Sequence, residues 1–434
     1  MNGNSEKKKF LFVSLTALIN DIAWQVHKEG HDVKYFIQNE EDREIADGFV
    51  PKTDDWEKDV DWADIIVFDD VLGQGARAHV LRQRGKLVIG GTEYTDALED
   101  DRTFGQQELK RFGINILPYE EFTSFDEASD YVEANPNRYV IKPSGEAQNI
   151  KRLLFVGEED DGKDVIQVLE AYKKAWSKEI KIFQLQRRAT GVEVAVGAFF
   201  NGSQFIHPIN INFEHKKLFP GNIGPSTGEM GTSMYWSGPN KIFNTTLKKM
   251  ETKLQEEGYV GYIDINCIVN ANGIYPLEFT ARFGYPTISI QQEGIMMPIG
   301  EFLYRLAEGS ITSFKAKRGF QVGVRIVVPP YPFSDQQTFE AYSKDAVILF
   351  KKQNLEGVHI GDAKCINGQW RIAGNTGVVL VVVGTGQTMR QAQNQAYNRI
   401  GNIMIPNMYY RMDIGDRWFE DIDRLHAWGY LREV

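Results

Sequence analysis

Cysteine is nearly absent: Cys267 and Cys365 are the only two in 434 residues, and they lie far apart in the chain. Two isolated thiols argue against a disulfide framework or a cysteine-based zinc site; they read as buried thiols in a reducing compartment. No apolar run approaches the ~18 residues a membrane-spanning helix needs. The opening "MNGNSEKKKF" has none of the apolar core of a secretory leader. A cytoplasmic protein with no membrane partner is expected. Positive charge is also short, with 49 Lys and Arg against 59 Asp and Glu, a net charge of -10. Tight nucleic-acid binding needs a basic footprint and is therefore disfavoured, although a small basic groove is compatible with this balance. There is no Walker GK[ST] motif, internal repeat or low-complexity tract.

What is present is an ordinary globular composition, 42% hydrophobic and 25% charged, in a chain long enough for two to four domains. In the first hundred residues "KFLFVSL", "HDVKYFI", "DIIVFDD" and "KLVIGG" read as short buried strands separated by amphipathic segments, the alternation of βαβ units around a parallel sheet. Ligands of such sheets bind beyond the strand C-termini, which is where Asp69 and Asp70 fall; a helix cap and turn is the equally weighted alternative for them. A helix is expected over "TDALEDDRTFGQQELKRFGI", and a long one over "NKIFNTTLKKMETKLQEEG". From about residue 315 the pattern is mostly strand, and the helix "TMRQAQNQAYNRIGNI" follows the last of these strands.

Polar residues at strand ends suggest the chemistry. Lys142 closes the strand "RYVIK", and Lys151 stands beyond a loop containing Gly145; two ammonium groups flanking a glycine loop suit nucleotide phosphates, though surface lysines near turns are the commoner explanation. Gln186 and Glu193 in "FQLQRRATGVE" span a turn between strands, where they suit an adenine amino group and ribose hydroxyls. Asp264 and Asn266 share a face of one strand, and Glu278 follows on the next after "NANG". Oxygen ligands converging from adjacent strands suit Mg²⁺ (or Mn²⁺), completed by phosphate oxygens and water. Arg282 is either a phosphate clamp or the ion-pair partner of Glu278.

This order of lysine pair, adenosine-type site, glycine loop and carboxylate-bearing strand pair resembles the ATP-grasp superfamily, and within it the glycinamide ribonucleotide synthetase (phosphoribosylamine–glycine ligase) family. That family has "HKR" shortly before "GPNTGGMG"; here "HKK" (His215 to Lys217) precedes "GPSTGEMG". Its metal strand, Glu-Phe-Asn followed by "RFGDPE", is matched by "LEFTARFGYPT", and its closing "KDIG" by "RMDIG". The likeness runs from about residue 98 to 415. It implies an α/β and α+β multidomain ATP-grasp fold: an N-terminal Rossmann-like (pre-ATP-grasp) substrate domain at 1–97, an ATP-grasp domain at 98–312 with a mobile lid at about 127–192, and a C-terminal β-rich domain at 313–434. The implied activity is an ADP-forming, C–N bond-forming ligase using ATP and Mg²⁺, acting on a small-molecule carboxylate (an amino acid) and an amine, as a monomer or homodimer. In this resemblance Arg102, Lys142 and Lys151 hold phosphates, Gln186 and Glu193 hold adenosine, and Glu278, Asn266 and Asp264 hold metal. Arg282 stabilises the transferring phosphoryl group. His215 and the loop Gly224, Pro225, Ser226, Thr227, Gly228, Glu229, Met230 and Gly231 face the acyl phosphate and amine. Departures fall mostly on the acceptor side: "VSLTALINDIAW" stands where the family has a glycine-rich turn with Arg-Glu-His, and "GYPT" replaces "GDPE". An amine other than phosphoribosylamine is therefore expected, the alternatives being a genuine phosphoribosylamine–glycine ligase with a remodelled N-terminal domain and a nucleotide-binding relative that has lost catalysis. Gln186 and Thr280 stand where the family has Glu and Asn.

Overall fold

The apolar runs of the first hundred residues form a four-stranded parallel sheet in the computed structural model, which describes residues 6–431 apart from 146, 148, 149, 151 and 152. β1 (Lys9–Ser14), β2 (Asp32–Ile37), β3 (Ile65–Phe68) and β4 (Leu87–Ile89) lie in the spatial order β2-β1-β3-β4. Phe10 to Val13 and Ile65 to Phe68 are all buried, as strands covered on both faces must be. Helices α1 (Asn20–Lys28) and α2 (Gln74–Gln83) lie in the connections.

The helix expected over "TDALEDDRTFGQQELKRFGI" is two helices, α3 (Glu93–Asp100) and α4 (Arg102–Arg111). Asp101 between them is extended, and its carboxylate accepts from the Phe104 amide at 3.0 Å. An aspartate that caps a new helix ends the preceding one. The break puts Arg102 at the first position of α4.

A second sheet is antiparallel: β5 (Tyr119–Phe122), β6 (Tyr139–Pro143), β7 (Phe155–Val156) and β8 (Phe183–Arg187), in the order β5-β8-β6-β7. With α5 (Phe125–Ala134) and α6 (Lys163–Ala175) it encloses its own core of Phe125, Val132, Ile141, Leu169, Phe183 and Leu185. Strand alternation turns Lys142, Gln184 and Gln186 to the other face.

The largest element is an eight-stranded antiparallel sheet. It contains β9 (Val192–Asn201) and β10 (Ile209–Glu214), then, after a small hairpin of β11 (Lys217–Phe219) and β12 (Ile223–Ser226), β13 (Gly231–Ser237). The run expected as one long helix is broken into α7 (Lys241–Thr245), a 3₁₀ turn and α8 (Glu251–Glu256). The Thr245 hydroxyl donates to the Lys241 carbonyl at 2.7 Å and that of Thr246 to the Ile242 carbonyl at 2.6 Å, the back-bonding by which β-branched hydroxyl residues bend helices. β14 (Val260–Asn270) and β15 (Gly273–Thr280) follow, then α9 (Thr287–Gly294) and α10 (Ile299–Glu308). β16 (Phe320–Val327), β17 (Leu349–Phe350), β18 (Val358–Ile360), the hairpin β19 (Ala363–Ile366) and β20 (Gln369–Ile372), β21 (Val378–Gly386) and the covering helix α11 (Met389–Ile400) follow, and a helix at Trp418–Ala427 lies near the C-terminus. The large sheet has the order β15-β14-β9-β10-β13-β16-β21-β18. β16, β21 and β18 thus extend the same sheet through the β13–β16 ladder.

Candidate functional site

Asp264, Asn266, Glu278 and Thr280 face one another across the β14–β15 ladder, with Asp264 opposite Thr280 and Asn266 opposite Glu278. Immediately beyond, the register slips, and Cys267 pairs with Pro276. This bulge at Leu277 reverses which residues face the core: Ile274 and Pro276 are buried before it and Phe279 after it. Glu278 and Thr280 are thereby turned outward, toward a cavity of about 420 Å³.

Several segments line that cavity. The parallel sheet contributes Leu18, Asp70, Val71 and Leu72; α3 and α4 contribute Glu99, Asp100 and Arg102; the large sheet contributes Glu214, Lys216, Asp264, Asn266, Glu278, Thr280, Arg282 and Arg325. At its centre the Lys216 ammonium lies 3.0 Å from Glu193, 3.0 Å from Glu278 and 3.4 Å from Glu214. Burial depresses its pKa, but the three carboxylates outweigh burial and raise it well above the ordinary lysine value. Burial pushes Glu193 up, and Lys216 with Arg417 more than offsets this, so its carboxyl sits below the usual range.

Arg282 does not pair with Glu278. Its Nη2 lies 2.9 Å from Glu99, its Nε 3.5 Å from Asp70, and its Nη1 donates to the Phe283 carbonyl. Arg282 lines the cavity beside Asp264, with its guanidinium held from the N-terminal side. Asp264 is pushed up to about 8, first by burial and then by Glu214, against the hydroxyls of Tyr262 and Thr280 and the charge of Arg282. Asn266 donates to Glu214 at 3.0 Å and to Glu193 at 3.3 Å, while its buried Oδ1 has no partner among the described residues. An unpartnered amide oxygen opposite a carboxylate is a donor pair that fits a divalent cation sharing the oxygens of a bound phosphate. Among the described residues no cluster of three or more His, Cys, Asp or Glu is arranged to hold a metal alone.

Lys142 stands in register with Gln184 on the face of the smaller sheet away from its core. Burial, then Arg102, lowers its pKa to about 7, with Glu278 and Glu193 acting the other way. Among the described residues, Gln186 is buried with its Nε2 unpartnered, and Gln184, which sequence reasoning missed, is buried with its Oε1 unpartnered. Arg102 is depressed by burial, and its Nε lacks a partner. Lys151 lies outside the described residues.

The glycine loop divides by role. Of Gly224 to Gly231 only Gly228 and Glu229 line the cavity. Pro225 and Ser226 lie in β12, Met230 is core, and Thr227 donates both its amide and its hydroxyl to the Lys216 carbonyl at 2.8 Å each, fixing the backbone that carries the central ammonium. His215 is not part of the lining. Burial and the nearby Arg417 and Arg411 lower it to about 3, and its Nε2 accepts from the Gly415 amide at 3.4 Å, so it is a neutral ring seated against the C-terminal segment. Glu99, Glu214, Lys216 and Arg325 are further cavity residues for which sequence reasoning assigned no role. Asp69 is buried beneath the site, accepting from Ser14 and from the Leu15 amide, whereas its neighbour Asp70 faces the cavity.

Known proteins share this arrangement. Residues 100–288 match the family described as phosphoribosylglycinamide synthetase, ATP-grasp (A) domain, and residues 321–417 match its C domain. A phosphoribosylamine–glycine ligase of Halalkalibacterium halodurans is 25% identical over 346 residues, 77% of this chain and 78% of that protein. One from Streptococcus pneumoniae is 24% identical over 367 residues, 83% of this chain and 84% of its own. The crystal structure of the Thermotoga maritima phosphoribosylamine–glycine ligase superposes with a TM-score of 0.69 at 21% identity, covering 94% of this chain and all of that one. The biotin carboxylase domain of a Hydrogenobacter thermophilus 2-oxoglutarate carboxylase, solved with MgADP and bicarbonate, superposes with a TM-score of 0.62 at 12% identity over 98% of this chain and 99% of its own. With a lysine-bearing antiparallel sheet set beside a carboxylate-bearing strand pair, and both synthetase domains matched in order, this chain belongs to the ATP-grasp superfamily and is a ligase resembling phosphoribosylglycinamide synthetase.

Proposed function

We propose that the chain joins glycine or another small amino acid to an amine other than phosphoribosylamine, using ATP and Mg²⁺ and passing through an acyl phosphate. The observation that carries this is the Asn266–Glu278 pair, which opens on a cavity lined by Arg102, Lys216 and Arg282. Glu278 and Asn266 would hold the cation, which when bound supplies Lewis-acid neutralisation of phosphate charge. Arg102, Lys142 and Lys151 receive the nucleotide phosphates, and Gln186 with Glu193 the adenosine. The amino acid's carboxylate oxygen attacks the γ-phosphorus and ADP leaves. The amine nitrogen then attacks the acyl carbon, loses a proton, and phosphate leaves. Arg282, preset by Glu99 and Asp70, lies where charge develops on the transferred phosphoryl group. Gly228 and Glu229 close over the cavity and keep water from the intermediate. Positioning and charge do most of this work, and no general acid or base is needed in the first step.

The names of the relatives favour phosphoribosylamine as the acceptor, and one experiment separates the two readings. With Mg-ATP, each small amino acid in turn and hydroxylamine as trap, the protein should release ADP and form the aminoacyl hydroxamate. Glu278→Gln should lower this roughly a hundredfold or more. Hydroxamate formation at the same rate in both proteins would remove the ligase assignment of Glu278. Turnover with glycine and phosphoribosylamine above that with any other amine would restore the second reading.

A further inference from the structure

Resting on that ligase reading, we infer that the amine acceptor carries no phosphate and binds as an ammonium beside Asp70 and Asp100, with its carbon chain against Leu18, Val71 and Leu72; one of the two carboxylates takes the ammonium proton before the freed nitrogen attacks the acyl carbon. These five residues all line the cavity, and Asp100 accepts from the Leu72 amide at 3.2 Å, which ties the two segments together. Burial, opposed by that amide, raises the Asp100 pKa, and Asp70 raises it further, so the two carboxylates share one neighbourhood.

A phosphate has no seat beside these residues. Backbone amides at the start of a helix are the usual anion site after a parallel strand, and here carboxylates already hold them. The Leu15 amide after β1 donates to Asp69 at 3.2 Å, and the Gly75 amide in the first turn of α2 donates to Asp96 at 2.9 Å. Two of the lining cations already hold partners: Arg282 contacts Glu99, Asp70 and the Phe283 carbonyl, and Arg325 donates through Nη2 to the Tyr285 carbonyl at 2.8 Å, although Nε of each has no hydrogen-bond partner among the described residues. A dianion would meet Asp70, Glu99 and Asp100 together, whereas an ammonium would find opposite charge there. The cavity is nonetheless built for a polar guest: Glu229 and Asn266 in its lining are each more than nine-tenths buried, and Oε1 of the first and Oδ1 of the second have no partner among the described residues.

The test uses the full-length protein with Mg-ATP and the amino acid that gives hydroxamate, comparing matched amines: ethanolamine with phosphoethanolamine, and n-pentylamine and cadaverine with phosphoribosylamine. Amide product and ADP should form with the unphosphorylated members at least tenfold more efficiently. Asp100→Asn should raise the acceptor KM about tenfold while kcat at saturating acceptor falls far less. Leu72→Lys, at an exposed position where the fold tolerates change, should raise the same KM. Equal or better turnover with a phosphorylated amine, or none with any unphosphorylated amine although hydroxamate forms, overturns the inference. Absence of hydroxamate with every amino acid instead sinks the ligase reading, and the inference with it.

Discussion

Lys142 carries its charge conditionally. Burial and Arg102 hold it near 7 in the free protein, so around half of it is neutral at physiological pH. Phosphates placed beside it favour the ammonium form, so nucleotide binding above pH 7 should take up a proton. Nucleotide affinity should therefore fall as pH rises from 7 toward 9. Calorimetric titration with Mg-ATP in two buffers of different ionisation heat reads this uptake directly, and Lys142→Met should abolish it. Identical heats in both buffers would mean that Lys142 does not meet the phosphates. At this scale the sequence pointed to residues that the structure brings to one cavity: Glu278 and Arg282 near the end of β15 and Asn266 beside them on β14 from their pattern, and Arg102 from the family resemblance. Glu99 was not among them, because a glutamate within "DALEDD" looks like ordinary helix surface. It becomes a site residue only through the Ala281 amide 182 positions later and the Arg282 guanidinium beside it. Gln184 was hidden in the same way, one of two glutamines on a short strand whose shared face is revealed only by Lys142 opposite.

Among the elements, the glycine loop makes two opposite demands with one residue type. A Cβ on Gly228 would meet nothing closer than Arg325 Nη1 at 3.9 Å, and its backbone is not left-handed, so the fold does not require glycine there. A Cβ on Gly231 would stand 2.5 Å from the Gly323 carbonyl oxygen across the β13–β16 ladder. Gly228→Ala should therefore keep its melting temperature within ~2 °C while impairing turnover severalfold, because the added methyl projects toward substrate. Gly231→Ala should cost about 2–4 kcal/mol of stability by denaturant titration. Equal destabilisation by both would contradict this division of labour. The sequence marked the loop as shaped but did not reveal β13, since "GTSMYWS" opens with small polar residues and owes its extended form to pairing with β10 and β16. The bulge at Leu277 was equally invisible, because period-2 reading assumes an unbroken register.

Across the whole molecule, one buried histidine joins three parts. His359 on β18 lies 2.7 Å from Asp21 of α1 and 3.3 Å from Glu293 of α9. Burial lowers its pKa, but the two carboxylates raise it to about 9. Because the folded value exceeds the unfolded one of ~6.5, the stabilisation is complete below that pH and is lost as pH rises through 9; its upper bound is ~3 kcal/mol. His359→Gln should flatten the decline in melting temperature between pH 6.5 and 9, and an unchanged slope would remove the histidine as its cause. The parallel N-terminal sheet and the mostly-β tail were legible from apolar periodicity, and the ATP-grasp core from the motifs that resemble that superfamily. That the tail continues the central sheet was not, since strand partners are chosen at long range. The sheet bearing Asp70 and Leu72 shares no strand with the large one: its seam is single backbone bonds such as Gly90 to Val260 and side-chain links such as Asp21–His359 and Tyr285–Asp69. Inheritance can therefore rewrite one partner of the reaction while leaving the nucleotide machinery intact, and a lineage of such ligases would diversify by changing what it modifies before changing how it is powered.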